Sequence, residues 1–187
     1  MKLAGLKPMG DNATYFQNVE LTEATVLTDK SAMTIRHKGG DAPILTSDLK
    51  TNSVYWTKRL DETVSVADSE LVFVGYGITA PEYEWADYAG IDVKGTTVVM
   101  LVNDPGFATK DETLFKGNAM TYYGRWTYKF EEAGRQGAAA AIIVHETAPA
   151  SYGWDVVSGS WTGTQYDLVR PDKGASRAAL EGWLHLD

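Results

Sequence analysis

Three residues near the middle of the chain match a motif for dinucleotide binding. Gly75, Gly77 and Ala80 fit the pattern G-x-G-x-x-A, in which a helix that begins at the second glycine holds a pyrophosphate with its N-terminal amides. Three carboxylates follow within ten residues of Gly77: Glu82, Glu84 and Asp87. Because carboxylates beside a pyrophosphate repel it, we interpret the glycines as positions where a strand bends tightly before Pro81.

A second candidate for chemistry is the pair His145-Glu146, which begins like the zinc-protease motif H-E-x-x-H. Pro149 stands where the second histidine is required, and the other two histidines, His37 and His185, are distant in the sequence. We therefore expect His145 to end a strand. The chain has no cysteine, which excludes thiolate metal sites and cysteine nucleophiles. A Ser-His-Asp set assembled in space has no local signal and stays open.

The composition is that of a folded, acidic domain. Of the 187 residues, 44% are hydrophobic and 22% are charged, and this length suits one core of ordinary size. The formal net charge of -8 argues against a nucleic-acid partner, since such binding needs a basic face. No apolar stretch is long enough to span a membrane.

Two apolar runs and an amphipathic segment predict a strand–helix–strand unit. Residues 96–103 and 138–145 are predicted strands, and residues 122–136 are the predicted helix. One face of this helix collects four apolar side chains: Tyr122, Trp126, Phe130 and Ala133. Thr121 can serve as its N-cap, and Gly137 fits the left-handed position after its last turn. A unit of this kind places its two strands in parallel.

The remaining elements surround this unit. Residues 71–78 are predicted to form a buried strand beside residues 97–103. Further strands are predicted in four places: residues 19–27, 33–37, 51–57 and 63–66. Residues 154–170 are predicted to be loop and edge strand, and Asp187 resembles the N-cap of a helix beyond the sequence. The fold class that follows is α/β and rich in β-strand, with a mixed, barrel-like open sheet and one or two covering helices.

Aromatic side chains exceed what one helix face can bury. Five aromatic or basic residues lie close together at the start of the predicted helix: Tyr122, Tyr123, Arg125, Trp126 and Tyr128. Tyr152 and Trp154 follow the last strand of the unit. Exposed aromatic residues with an arginine are typical of contact surfaces. We predict a substrate or partner surface from five residues: Tyr123, Arg125, Trp126, Tyr152 and Trp154. The alternative, that these rings pack under neighbouring loops, stays open.

The order of these features resembles a protease-associated (PA) domain. That family typically has a G-x-D-V-K-G-K turn before a buried strand, and residues 90–95 (Gly-Ile-Asp-Val-Lys-Gly) match it, with Thr96 in place of the final lysine. The family's helix ends A-x-x-x-G-A before an apolar I-I-V strand, as residues 133–144 do here. Residues 5–17 and 122–133 are similar to the subgroup inserted in bacterial two-zinc aminopeptidases.

The resemblance implies a role outside catalysis. The family's zinc-ligand motifs do not occur in this sequence, so a catalytic domain holding the zinc ions would follow Asp187, and no cofactor is expected in this chain. The implied division is residues 1–66 as N-terminal flanking strands, 67–170 as the PA domain and 171–187 as a C-terminal flanking segment. PA domains restrict substrate access or contact peptides and proteins, here including the parent catalytic domain. The resemblance implies a secreted or periplasmic enzyme.

Two other classes of function remain open at this stage. The six tryptophans and ten tyrosines suggest an autonomous carbohydrate- or peptide-binding module. A stand-alone hydrolase, with a site assembled across the fold from residues distant in sequence, is the second alternative. Glycan binding by the isolated chain would favour the first, and peptidase activity of the purified chain would favour the second.

Overall fold

A computed structural model describes residues 1–186, which form eleven strands and four α-helices. Asp187, with the N-cap predicted there, lies outside the described residues. The strands are β1 (Leu21–Ala24), β2 (Thr34–Arg36), β3 (Pro43–Thr46), β4 (Ser53–Trp56), β5 (Leu71–Phe73), β6 (Thr79–Ala80), β7 (Trp85–Ala86), β8 (Thr97–Leu101), β9 (Ala140–His145), β10 (Gln165–Leu168) and β11 (Leu180–His185). The helices are α1 (Pro105–Thr109), α2 (Trp126–Arg135), α3 (Thr147–Ala150) and α4 (Trp154–Trp161).

A five-stranded mixed sheet organises the molecule. Its strand order is β4-β11-β9-β8-β5, in which β5, β8, β9 and β11 are parallel and β4 is antiparallel to β11. The predicted α/β, strand-rich fold class is therefore confirmed. The predicted strand–helix–strand unit is confirmed as β8, α2 and β9, with Thr97 opposite Ala140.

One face of this sheet carries the main core. Residues opposite one another in paired strands point to the same face, so the register places Met100, Ile143 and Trp183 in one row. The helices α2 and α4 cover that row. The ring of Phe130 on α2 lies 6.4 Å from that of Trp183, and the ring of Trp161 on α4 lies 6.2 Å from it. All five side chains are buried.

The three predicted segments contribute to the same sheet. Strand β4 comes from residues 1–66, β11 comes from residues 171–187, and β5, β8 and β9 come from residues 67–170. Three two-stranded sheets lie outside it and pair β1 with β10, β2 with β3 and β6 with β7. The division into a PA domain and flanking segments stays a prediction.

Several predicted elements were wrong in extent or type. The strand predicted at residues 71–78 ends at Phe73, and it is an edge strand with Leu71 42% and Phe73 61% exposed, not a buried one. No strand forms at residues 63–66, and residues 154–161 form the helix α4 rather than a loop. The predicted helix begins as a 3₁₀ turn, Tyr122–Gly124, and Thr121 does not cap it because its hydroxyl donates to Asp104.

The turn after β5 depends on glycine, as the sequence predicted. Gly75 and Gly77 have φ angles of 59° and 65°, in the left-handed region that other residues enter at a cost. A Cβ atom at Gly77 would also overlap the side chain of Met100. The pair therefore lets the chain turn against the core and enter β6.

Gly77→Ala is expected to lower the free energy of unfolding by about 2 kcal/mol, because left-handed strain adds to the overlap with Met100. Gly90→Ala is the matched control. Gly90 has a φ of 76°, but a Cβ there meets nothing within 4 Å, so only the strain of about 1 kcal/mol remains. Urea unfolding of both variants measures the difference. Equal losses would show that Met100 accommodates the added methyl group.

The described helices are all short. None of those in residues 1–186 combines the length and apolar character needed to cross a lipid bilayer.

Candidate functional site

A groove opens where the parallel strands β8 and β9 end. It is lined by Val102, just after β8, by Met120, by residues 124–126 where α2 begins, and by residues 150–152 where α3 ends. Its volume is about 280 Å³. In open α/β sheets, ligands bind in crevices outside the carboxyl ends of the strands, and this groove occupies such a position. We call it the Arg125 groove.

An adjoining groove shares two residues, Trp126 and Tyr152, with the Arg125 groove. It has a volume of about 250 Å³ and runs between α2 and α4. Three further tryptophans form its walls: Trp56, Trp161 and Trp183. We call it the tryptophan groove. Four of the six tryptophans of the chain therefore meet at one place.

The structure brings together three of the five predicted contact residues. Arg125, Trp126 and Tyr152 all line the Arg125 groove. Trp126 is half-buried, and its ring makes edge contacts with Trp161 at 5.5 Å and with Phe130 at 6.2 Å. These contacts hold one edge of the ring in the core, while the remainder borders both grooves.

Tyr152 is held in place through its main chain. Its carbonyl oxygen lies 3.1 Å from Nε2 of His145, the last residue of β9. His145 is buried. Because it is the last residue of β9, the prediction that it ends a strand is confirmed. Burial raises the pKa of the Tyr152 phenol, and the positive charge of Arg125 acts in the opposite direction. The phenol therefore stays neutral at pH 7, beside a cation.

Arg125 contributes a charge that no residue in the described part of the chain pairs. Its side chain is exposed, and no described residue forms an ion pair or a side-chain hydrogen bond with it. It is also the N-cap residue of α2, where no side chain caps the helix and the first turn has no acidic residue. Of the residues lining the groove, all of which the structure describes, only Arg125 is charged.

Tyr123 lies outside both grooves. Its hydroxyl donates to Oε1 of Glu82 at 2.7 Å, and this bond raises the pKa of Tyr123 to about 12. Its ring packs against Phe115 and Tyr128, 5.8 and 4.9 Å away. These contacts hold the start of α2 against the turn that precedes β7. The contact role predicted for Tyr123 stays a prediction, and Tyr123 does not line the Arg125 groove or the tryptophan groove.

Trp154 also lies away from the two grooves. Its indole nitrogen donates to the carbonyl oxygen of Lys50 at 2.6 Å. Its ring stacks on His185 with centroids 4.9 Å apart and planes 17° apart. Trp154 therefore joins the start of α4 to the loop before β4 and to the end of β11.

Sequence reasoning missed the residues that α4 contributes. Val157 and Trp161 line the tryptophan groove, but the segment was predicted as loop and edge strand. Its signal was present: Trp154, Val157 and Trp161 have the three- and four-residue spacing of one helix face. Two serines and Gly159 in the same segment masked it, since these residues favour turns.

Among residues 1–186, no three or more His, Asp or Glu side chains are placed to hold a metal ion together. Asp87, one of the three carboxylates that follow Gly77, accepts a hydrogen bond from the backbone amide of Ile78 at 3.0 Å.

Comparisons with family models, with curated proteins and with solved structures found no match to this chain.

Proposed function

We propose that this chain is a non-catalytic module that contacts a peptide or protein through the Arg125 groove. The observation that carries the proposal is the convergence of Arg125, Trp126 and Tyr152 on one groove at the carboxyl ends of β8 and β9. Arg, Trp and Tyr are the residues most enriched at the energetic centres of contact surfaces. An aromatic pair beside a cation that residues 1–186 leave without an ion pair suits a peptide better than it suits a purely apolar ligand.

Internal contacts hold two of the groove's aromatic residues in place. Trp126 is fixed by Phe130 and Trp161, and the backbone of Tyr152 is fixed by His145. Side chains already ordered in the free protein lose little conformational entropy on binding. The two rings therefore supply contact area at low cost.

The resemblance to PA domains supports the proposal that this module belongs to a larger enzyme. In that proposal the parent is a secreted or periplasmic zinc aminopeptidase, its zinc ions lie in a separate catalytic domain, and this chain holds no cofactor. The groove then faces incoming peptide or the catalytic domain. Peptidase activity of the purified chain, measured after metal removal and re-addition, would contradict this assignment.

Trp126→Ala is expected to weaken peptide binding at least tenfold, because truncating a central aromatic residue of a contact surface typically costs about 2 kcal/mol. Peptides with apolar side chains are titrated into the isolated chain and followed by calorimetry. Tyr152→Ala is a second groove variant that leaves the contacts of Trp126 with the core intact. Circular dichroism checks that both variants fold.

Phe73→Ala is the matched control, since Phe73 is an exposed aromatic residue on the edge strand β5 and does not line either groove. Its affinity for peptide should equal that of the wild type. If the wild type binds no peptide, or if all three variants bind alike, the groove is not the contact site.

A carbohydrate-binding role is the second candidate. The tryptophan groove places the hydroxyl of Ser160 and the amide of Gln165 beside the rings of Trp126 and Trp161. Flat apolar rings next to hydrogen-bonding groups suit the mixed polar and apolar surface of a sugar. Binding of neutral oligosaccharides that is lost in Trp161→Phe, while peptide binding is kept, would favour this role.

A further inference from the structure

We propose that the Arg125 groove recognises the free C-terminus of a peptide whose last side chain is apolar. The inference rests on the proposed function, since it names the part of a peptide that the same groove takes. The guanidinium of Arg125 pairs with the terminal carboxylate, and the last side chain enters the groove between Met120 and Trp126.

The charge of the groove favours a carboxylate. Three other arginines have partners within the protein: Arg59 donates to the carbonyl of Arg177, Arg135 pairs with Glu132, and Arg177 pairs with Glu181. Arg125 has no such partner among residues 1–186, in a chain whose formal net charge is -8. Guanidinium groups bind carboxylates through two parallel hydrogen bonds between charged groups. Such bonds are stronger than hydrogen bonds between neutral groups.

Neighbouring groups reinforce this preference. Arg125 lies at the positive end of the α2 dipole, where a cation is unfavourable unless an anion joins it. Asp104, the N-cap of α1, is fully buried; its carboxylate accepts hydrogen bonds from Gly106 and from Thr121, and it forms no ion pair with Arg125. Asp104 therefore does not compete for the guanidinium.

The shape of the groove favours a chain end over an internal segment. Its volume of about 280 Å³ lies just below the range of small-ligand pockets, roughly 300–1,000 Å³, so one apolar side chain fits within it. Val102, Met120 and Trp126 give it apolar walls, with the single charge at residue 125. A ligand must therefore carry its carboxylate within a few bonds of an apolar group, as a C-terminal Leu or Phe does.

The test compares two acetylated tripeptides, Gly-Gly-Phe as the free acid and as the C-terminal amide. Wild-type protein should bind the acid about tenfold more tightly, the gain expected for a charge-assisted pair at a partly exposed site. The preference should shrink in 0.5 M salt, which screens exposed charges. Arg125→Gln should bind both peptides alike, with the affinity that the wild type has for the amide.

Two controls separate this inference from the function on which it rests. Arg36→Gln removes an exposed arginine of the β2–β3 hairpin and should keep the preference for the acid. Gly-Gly-Gly as the free acid should bind more weakly than Gly-Gly-Phe, because it lacks the apolar side chain. Equal binding of the Phe acid and amide overturns C-terminal recognition but leaves peptide binding standing. No binding of either peptide overturns both.

Discussion

Asp104→Ala is expected to lower the free energy of unfolding by about 3 kcal/mol, because it removes a buried acceptor of three hydrogen bonds and each donor left without a partner costs about 1–3 kcal/mol. The carboxylate is fully buried and is the N-cap of α1. Oδ1 accepts from the amide of Gly106 at 3.2 Å, and Oδ2 accepts from the amide and the hydroxyl of Thr121 at 3.0 and 2.7 Å. The variant leaves both amides without that partner.

The matched control is Asp111→Ala. The carboxylate of Asp111 accepts from the amide of Thr113 at 2.9 Å and from its hydroxyl at 2.7 Å, but it is exposed. Water replaces these bonds, so unfolding in urea should change little. Asp104→Asn keeps an acceptor without the charge and should lie between the two. If Asp104→Ala and Asp111→Ala cause the same small change, burial does not make the Asp104 network stabilising.

Local patterns in the sequence were sufficient for the central part of the fold. The apolar run that became β8 and the run that became β9 flank a helix with a clear apolar face, and the parallel pairing of β8 and β9 follows from that order. The position of β11 did not follow. Glu181 and Gly182 interrupt its apolar pattern, and its pairing with β4 joins residues more than 120 positions apart.

A buried charge explains why the local sequence pattern does not predict β11. Glu181 is fully buried on the face covered by the helices, and Arg177 and Lys58 lie 3.3 and 3.8 Å from its carboxylate. A buried carboxylate is tolerated only with such partners, and one of them, Lys58, comes from a distant part of the chain. No local spacing records that pairing.

The candidate site was predictable in composition but not in geometry. Arg125, Trp126 and Tyr152 were predicted because aromatic residues and an arginine were crowded near the ends of predicted elements. The same reasoning selected Tyr123 and Trp154, whose hydrogen bonds to Glu82 and Lys50 hold other parts of the fold together. The sequence shows that an aromatic side chain is present. Only the tertiary structure shows whether that side chain packs within the protein or is available to a ligand.

A buried lysine gives the second large effect. Lys129 on α2 is fully buried, and its Nζ donates to the carbonyl oxygen of Tyr76 at 2.5 Å and lies 5.6 Å from the ring of Tyr76. Burial lowers the pKa of Lys129 from 10.5 to about 7, and the negative charges of Asp87 and Asp104 oppose that shift. A carbonyl, a ring and two carboxylates therefore face the amine from three different segments.

The sign of the pH dependence follows from proton binding. Between pH 7 and 10.5 the unfolded chain holds a proton on Lys129 that the folded protein does not hold. Stability rises with pH wherever the unfolded state binds more protons, by up to about 1.4 kcal/mol per pH unit for one group. Below pH 7 Lys129 is protonated in both the folded and the unfolded state, so the full cost of burying its ammonium group lowers the stability of the folded protein.

Wild-type protein should therefore gain about 2 kcal/mol of stability relative to Lys129→Met between pH 7 and pH 9. Urea unfolding of both proteins at pH 6, 7, 8 and 9 measures the difference between their free energies of unfolding. Groups that titrate alike in the two proteins contribute equally to both values and cancel in that difference. Lys30→Met, at an exposed lysine, should run parallel to the wild type at every pH. A constant difference between wild type and Lys129→Met from pH 6 to 9 would mean that Lys129 stays charged when the protein folds.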